Sequence, residues 1–204
     1  MASQLLIIFT RNLQPGKVKT MLAEDVGHGA AMAIYKFLLQ HTREITKDLP
    51  YDKVVYYSEN LQLDDIWEEH IFQKKVQQGK DLGERMQRSF ENAFSNGYEQ
   101  VVIIGSDIYE LTSEEIRQAF SSLKNNDFVL GPAKDGGYYL LGMTKPKPEL
   151  FKNKAWSTPS ILEDSLKDLK NESVFLLKEL NDVDTFEDIR EHKDFQKFFQ
   201  HIKK

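Results

Sequence analysis

Gln100-Val101-Val102-Ile103-Ile104-Gly105-Ser106-Asp107 and, later in the same stretch, Phe128-Val129-Leu130-Gly131-Pro132-Ala133-Lys134-Asp135-Gly136-Gly137-Tyr138-Tyr139-Leu140-Leu141-Gly142 decide the fold. Each begins with an apolar run that Gly and Asp cut short. Such a run reads as a strand buried on both faces, with its C-terminal end opening into a loop. In open α/β sheets that end is where ligands bind. Asp107 and Asp135 are therefore expected at one rim of a parallel sheet.

Working outward, Leu5-Leu6-Ile7-Ile8-Phe9 is another all-apolar run and reads as a central strand. The segment after it, Thr10 to Thr20, carries Arg11, Lys17 and Lys19 around a Pro15-Gly16 turn. Cations and a glycine between a first strand and a helix can cradle phosphate through backbone N–H groups and side-chain charge. A plain solvated loop reads equally well, because neither a Walker nor a dinucleotide glycine pattern is present.

Helical periodicity runs from about Asp25 to Lys47, and again from Leu82 through Met86, Phe90 and Phe94 to the Asn96-Gly97 stop. Lys53 to Ser58 predicts a strand, Asp64 to Glu69 a polar helix, and Ile71 to Gln77 a short extended piece. Thr112 or Ser113 caps a helix with Glu114 and Glu115 in its first turn. Tyr138 to Met143 reads as a strand, Ile161 to Leu169 as a helix and Ser173 to Leu177 as a last strand. A final helix is expected from Thr185, with Asp188 completing a capping box and Phe186, Ile189, Phe195, Phe198 and Ile202 facing inward. This strand–helix alternation predicts a doubly wound α/β domain.

The composition sets outer limits. The chain has 204 residues, a net charge of −5 and no cysteine. Its length suits one sizeable domain over 1–204. The acidic balance argues against a nucleic-acid or anionic-membrane surface. No apolar run approaches the roughly 20 residues of a membrane span, and the start lacks the basic n-region of a signal peptide. A cytoplasmic protein is the expectation, and thiolate chemistry is excluded. The five histidines are scattered on polar stretches and receive no role.

Chemistry falls to the carboxylates. Asp107 follows a buried strand directly, and Asp184 sits at a similar strand-to-helix junction. Together they can hold Mg²⁺ or Mn²⁺ against ligand phosphates, because hard cations take oxygen donors and keep positions open for substrate. Each Asp read alone is better explained as a turn or helix cap.

Several segments, in this order, resemble the DUF2064 family, also described as transferase 1 associated with radical-SAM and selenium-domain proteins. They are Phe9 to Ala23, Leu82-Gly83-Glu84-Arg85-Met86, Gly105-Ser106-Asp107, Gly131 to Gly142, Trp156-Ser157-Thr158 and Asp182-Val183-Asp184-Thr185-Phe186-Glu187-Asp188. The resemblance implies a GT-A fold, a three-layer sandwich with a mostly parallel central sheet. That fold is shared by nucleotide-sugar glycosyltransferases and by nucleotidyltransferases.

The resemblance further implies that Asp107 and Asp184 are metal ligands. Arg11, Gly16, Lys17, Lys19 and Arg85 fall to the nucleotide, and Asp135, Gly136, Gly137, Tyr138 and Trp156 to the sugar or acceptor side. Asp107 and Asp135 would be the catalytic pair. Three positions depart from the family pattern. Met21 stands where the family carries an arginine, Ile108-Tyr109 where an x-Pro pair follows the metal Asp, and Phe186 where a proline opens the last helix. A guanidinium is a planar multidentate phosphate donor that Met cannot replace.

Two functions stay open at this level. One is a metal-dependent transferase that uses a nucleotide or nucleotide-sugar, with a small-molecule acceptor, for glycosyl or nucleotidyl transfer. The other is a degenerate GT-A domain that binds a nucleotide, metabolite or protein partner without turnover.

Overall fold

The computed structural model describes residues 3–200. Its strands are β1 (Gln4–Thr10), β2 (Asp52–Tyr57), β3 (Gln73–Val76), β4 (Gln100–Ile104), β5 (Phe128–Pro132), β6 (Tyr138–Met143) and β7 (Val174–Leu176). They form one sheet in the order β3-β2-β1-β4-β6-β5-β7. β6 runs antiparallel between β4 and β5, while the other neighbouring pairs are parallel. Consequently β4 and β5 point the same way, and Asp107 and Asp135 leave the sheet on one rim.

Successive side chains of a strand face opposite sides, so a run apolar at every position buries both faces. β1 does this: Leu6 and Ile8 join one core and Leu5 and Ile7 the other. The first core is closed by α1 (Thr20–Thr46), through Tyr35 and Leu39, and by α3 (Ser113–Ser122), through Ile116 and Phe120. The second is closed by α2 (Leu82–Ser95), through Met86 and Phe90, with α4 (Ile161–Asp168) and the turn at Pro148–Phe151 beside it. These three layers are the architecture the sequence implied.

Helix starts follow local chemistry. Asp81 accepts the Glu84 N–H at the head of α2. At α3, Thr112 caps the Glu114 N–H while Glu115 reaches back to the Thr112 N–H. A cap of this type is worth about 1 kcal/mol.

Two expected helices are absent. Residues 64–69 form an irregular turn, because the Asp65 carboxylate accepts the Trp67 N–H and the Lys74 ammonium while the Trp67 side chain is buried. Those tertiary anchors outweigh a weak helical period. Nor does a helix start at Thr185. The Asp188 carboxylate takes the N–H groups of Asp184 and Thr185, the Thr185 hydroxyl and the Asn181 amide. The chain there closes a turn and becomes helical only at the 3₁₀ turn Lys193–Phe195 and α5 (Gln196–Phe199). Ile189, Phe195 and Phe199 are buried against α1, with Phe186 and Phe198 half-buried beside them. Ile202, expected in this stripe, and His201 lie outside the described residues.

Candidate functional site

The C-terminal ends of β1, β4 and β5 open into a cavity of about 750 Å³. Its floor and walls divide by chemistry. Phe9, Leu82, Met86 and Trp156 line an apolar side, and Asp107, Asp135, Asp182 and Asp184 an acidic one.

The acidic side is assembled by backbone hydrogen bonds. Asp107 follows β4 after Gly105 and Ser106, and its carbonyl accepts the Val183 N–H at 3.1 Å. The Pro132 carbonyl at the end of β5 accepts the Leu180 N–H at 3.0 Å. These two bonds carry the segment 180–184 across the rim. Val183 is buried, so the alternation of an extended chain turns Asp182 and Asp184 together toward the cavity.

Between Asp107 and Asp184 stands a lysine. Lys19 Nζ donates to Asp107 Oδ2 at 2.9 Å and to Asp184 Oδ1 at 2.7 Å. Its side chain is 6% exposed, against 38% and 48% for the two acids. Burial works against the lysine charge, but Asp107 and Asp184 outweigh it and push its pKa up. Burial would likewise raise Asp107, yet Lys19 and the more distant Arg11 hold that carboxyl below its ordinary range. Asp182 has the opposite balance. Burial first, then the charges of Asp184, Asp135 and Asp107, push its carboxyl up to about 7.

The nucleotide set divides. Only Lys19 enters the acidic side. Arg11, Gly16 and Lys17 are exposed, and the Lys17 N–H closes the Pro15-Gly16 turn onto the Gln14 carbonyl at 3.1 Å. Arg11 lines a neighbouring groove between α1 and residues 62–67. Arg85 is committed elsewhere: its guanidinium donates to the Gly79 carbonyl at 3.1 Å and to Gln77 Oε1 at 3.2 Å, fastening α2 to the loop after β3. It is a structural tie and does not line the cavity.

The acceptor set stays together. Asp135 Oδ1 accepts the Gly137 N–H at 2.8 Å, which holds the turn after β5 in shape. Gly136 lies at φ +88°, and a Cβ there would meet the Pro159 carbonyl oxygen at 2.1 Å. The segment 153–159 therefore presses directly on that turn. Trp156 packs its ring on Gly83 at the start of α2, where a Cβ would fall 2.4 Å from the ring. Tyr138 gives the cavity its ring alone. Its hydroxyl is buried without a hydrogen-bond partner beside Ser165, whose hydroxyl is also unpaired, and burial pushes the phenol pKa up.

Two departures from the family pattern acquire physical roles. Met21 is 59% exposed at the cavity mouth, where it adds apolar surface. Ile108 is buried, and Tyr109 turns outward to pack on Phe37 and Phe195 while its hydroxyl donates to Asp194 at 2.6 Å. This pair binds the C-terminal segment to α1. Asp182 is the residue that sequence reasoning missed, although its alternation with Val183 and Asp184 was a usable signal.

Comparison with known proteins gives the family and the type of fold. Residues 41–158 match the family model described as an uncharacterized protein conserved in bacteria, DUF2064. The chain belongs to this family. Among solved structures it is similar to a protein from Desulfovibrio desulfuricans G20 provisionally assigned as a nucleotide-diphospho-sugar transferase. That pair shares 31% identity over 96% of this chain and 91% of the other, with a TM-score of 0.85. Two more distant structures share the fold. One is a cytidylyltransferase from Leptospira borgpetersenii serovar Hardjo-bovis, with 15% identity, 92% and 84% coverage, and a TM-score of 0.56. The other is 4-diphosphocytidyl-2C-methyl-D-erythritol synthase from Anaerococcus prevotii DSM 20548, with 9% identity, 100% and 97% coverage, and a TM-score of 0.57. Among curated proteins, none matches the chain. The DUF2064 chain thus has the nucleotide-diphospho-sugar transferase type of fold. Among the described residues, no helix is long and apolar enough to cross a membrane.

Whether the donors suit a divalent ion can be tested on this geometry. Among the described residues, no three His, Cys, Asp or Glu side chains meet as a ready-made metal set. Yet Asp107 and Asp184 aim one oxygen each at a single cation, the Lys19 ammonium. Two carboxylates of this kind fit a hard ion such as Mg²⁺ or Mn²⁺, at the shorter distances of about 2.0–2.6 Å that those ions and their relatives require.

Proposed function

We propose that this DUF2064 protein is a transferase that binds a nucleotide or nucleotide-sugar along the strand ends and passes a glycosyl or nucleotidyl group to a small acceptor. One observation carries the reading. Asp107 and Asp184, from opposite parts of the chain, converge on one cation at the end of β4, inside a cavity large enough for such a ligand.

A Mg²⁺ or Mn²⁺ ion held by Asp107 and Asp184 would neutralise phosphate charge as the leaving group departs. The residues of the chain do the rest. Phe9, Leu82 and Met86 offer an apolar face to a flat base. Arg11 and Lys17, exposed on the loop after β1, raise the local positive potential for an anionic ligand. Asp135, fixed through one oxygen by the Gly137 N–H, keeps the other for an acceptor hydroxyl. Trp156 and the Tyr138 ring wall off that side.

The test is calorimetry and thermal shift with nucleoside triphosphates and nucleotide-sugars, with and without Mn²⁺. Ligand present at about 100 times its Kd stabilises the fold by roughly 2.7 kcal/mol, which a melting curve resolves. Metal-dependent binding that Asp107→Asn weakens about 100-fold is the expected result. A folded protein indifferent to every nucleotide would sink the reading. Released pyrophosphate marks nucleotidyl transfer and released nucleoside diphosphate marks glycosyl transfer. Met21 at the cavity mouth favours a second reading, binding without turnover. A donor that binds but yields no product with any acceptor, or with water, would establish it.

A further inference from the structure

We infer that Lys19 is the resident cation of the Asp107–Asp184 pair, and that a divalent ion reaches both carboxylates of the ligand-free protein only by displacing it. This rests on the reading of those two acids as a metal pair and adds a gate to it. Three features of the chain support it.

First, the two oxygens that would bind an ion are the same two that hold Lys19 Nζ, at 2.9 and 2.7 Å. A divalent ion and an ammonium cannot share that point, since both are cations and both need the same lone pairs. Second, the lysine is placed there by the backbone. Lys19 is the residue before α1 and lies at φ +49°, ψ +50°, a left-handed conformation uncommon outside glycine. Val18 and Leu22 on either side are buried and anchor the turn. Third, glycines with positive φ bound the segment: Gly16 (φ +76°) precedes it and Gly27 (φ +82°) interrupts α1 beyond it. The four-carbon stem of a lysine can swing its charge without moving those anchors. Displaced toward the open side of the cavity, the ammonium would meet the phosphates of a bound nucleotide. Metal and nucleotide would then enter together, each making room for the other, while metal alone would bind weakly.

Mn²⁺ affinity in the absence of nucleotide tests this directly, read from the loss of the free-ion electron paramagnetic resonance signal. Coupling between two ligands at neighbouring sites commonly amounts to about 5–150-fold in affinity. Lys19→Met is therefore expected to bind Mn²⁺ about tenfold tighter than the wild type or more. Equal or weaker binding by the variant, with clear binding by the wild type, would overturn the gate and leave the metal pair standing. Absence of Mn²⁺ binding in both proteins would overturn the gate and the metal pair together. A second measurement on the wild type covers a variant that fails to fold. Amine acetylation mapped by mass spectrometry should find Lys19 protected without metal and reactive at saturating Mn²⁺, with exposed Lys17 as the reference. Lys19 reactivity that ignores Mn²⁺ occupancy would refute the displacement.

Discussion

Lys19 and Lys74 have equally buried side chains, each 6% exposed and each paired with acid, yet their surroundings differ in kind. Lys74 Nζ bonds Asp65 at 2.8 Å and the carbonyls of Gln62 and Leu63 at 2.9 and 3.0 Å. Asp65 is itself only 11% exposed and also accepts the Tyr57 hydroxyl. That carboxylate is used up inside the protein, since it also takes the Trp67 N–H. Lys19 instead meets two carboxylates that are 38% and 48% exposed and open to a cavity. Burial of a lysine therefore does not distinguish a staple from a site. The distinction lies in whether its partners keep lone pairs facing a space that a ligand can enter.

The contrast can be broken by substitution. Lys74→Met should have the largest effect on the fold, about 3–5 kcal/mol in urea denaturation, because the nearly buried Asp65 carboxylate loses its cation. Lys19→Met should cost only about 1 kcal/mol in the same measurement, since water in the cavity can solvate Asp107 and Asp184. Comparable losses in both variants would erase the distinction. Ligand binding should reverse the ranking: Asp107→Asn is expected to weaken Mn²⁺-dependent nucleotide binding about 100-fold, roughly 2.7 kcal/mol, with the fold intact.

Asp182 sharpens the comparison through pH. Its carboxyl titrates near 7 in the fold and near the ordinary 3.8 when unfolded. Below about pH 4 both states are protonated and the group has no effect. Between about 4 and 7 the unfolded chain gives up the proton while the fold retains it, so stability falls as pH rises, and the full cost is present above 7. Asp182→Asn should flatten that slope and stabilise the protein at pH 8 by about 1 kcal/mol, after allowance for a group only half-buried. A pH profile identical to that of the wild type would contradict the crowding of acids described here. The smallest effect belongs to the pair Lys167–Glu163, 62% and 74% exposed. Lys167→Ala should leave the urea denaturation midpoint of the wild type unchanged.

Much of this arrangement was legible in the residues. The apolar run before Gly105-Ser106-Asp107 fixed a buried strand and the end from which its acid leaves, and Thr112 with Glu115 announced the start of α3. Both signals are local, and local physics decides them. What escaped depended on hydrogen bonds that no periodicity announces. Asp64 to Glu69 lost its helix to Trp67 burial and to Lys74, while at Thr185 the expected bond from Asp188 forms and only a turn follows it. Arg85 resembled a nucleotide ligand but spends its donors on Gly79 and Gln77. Lys19 was recognised as part of the nucleotide loop, while its place between two acids depends on Asp184, 165 residues away. No window of sequence contains that relationship.

The hydrogen bond from the Val183 N–H to the Asp107 carbonyl has a consequence in time. Residues that make the sheet's centre, β1 and β4, leave the ribosome long before residue 184 does. At about 5–20 residues per second, the 77 residues from Asp107 to Asp184 take roughly 4–15 seconds to synthesise. For that interval Lys19 and Asp107 exist as a simple pair in a nascent chain, and the cavity lacks one wall. Only when the strand-like segment 180–184 docks does the acidic side become complete. The candidate site is therefore complete only after the strands at the centre of the sheet have been made.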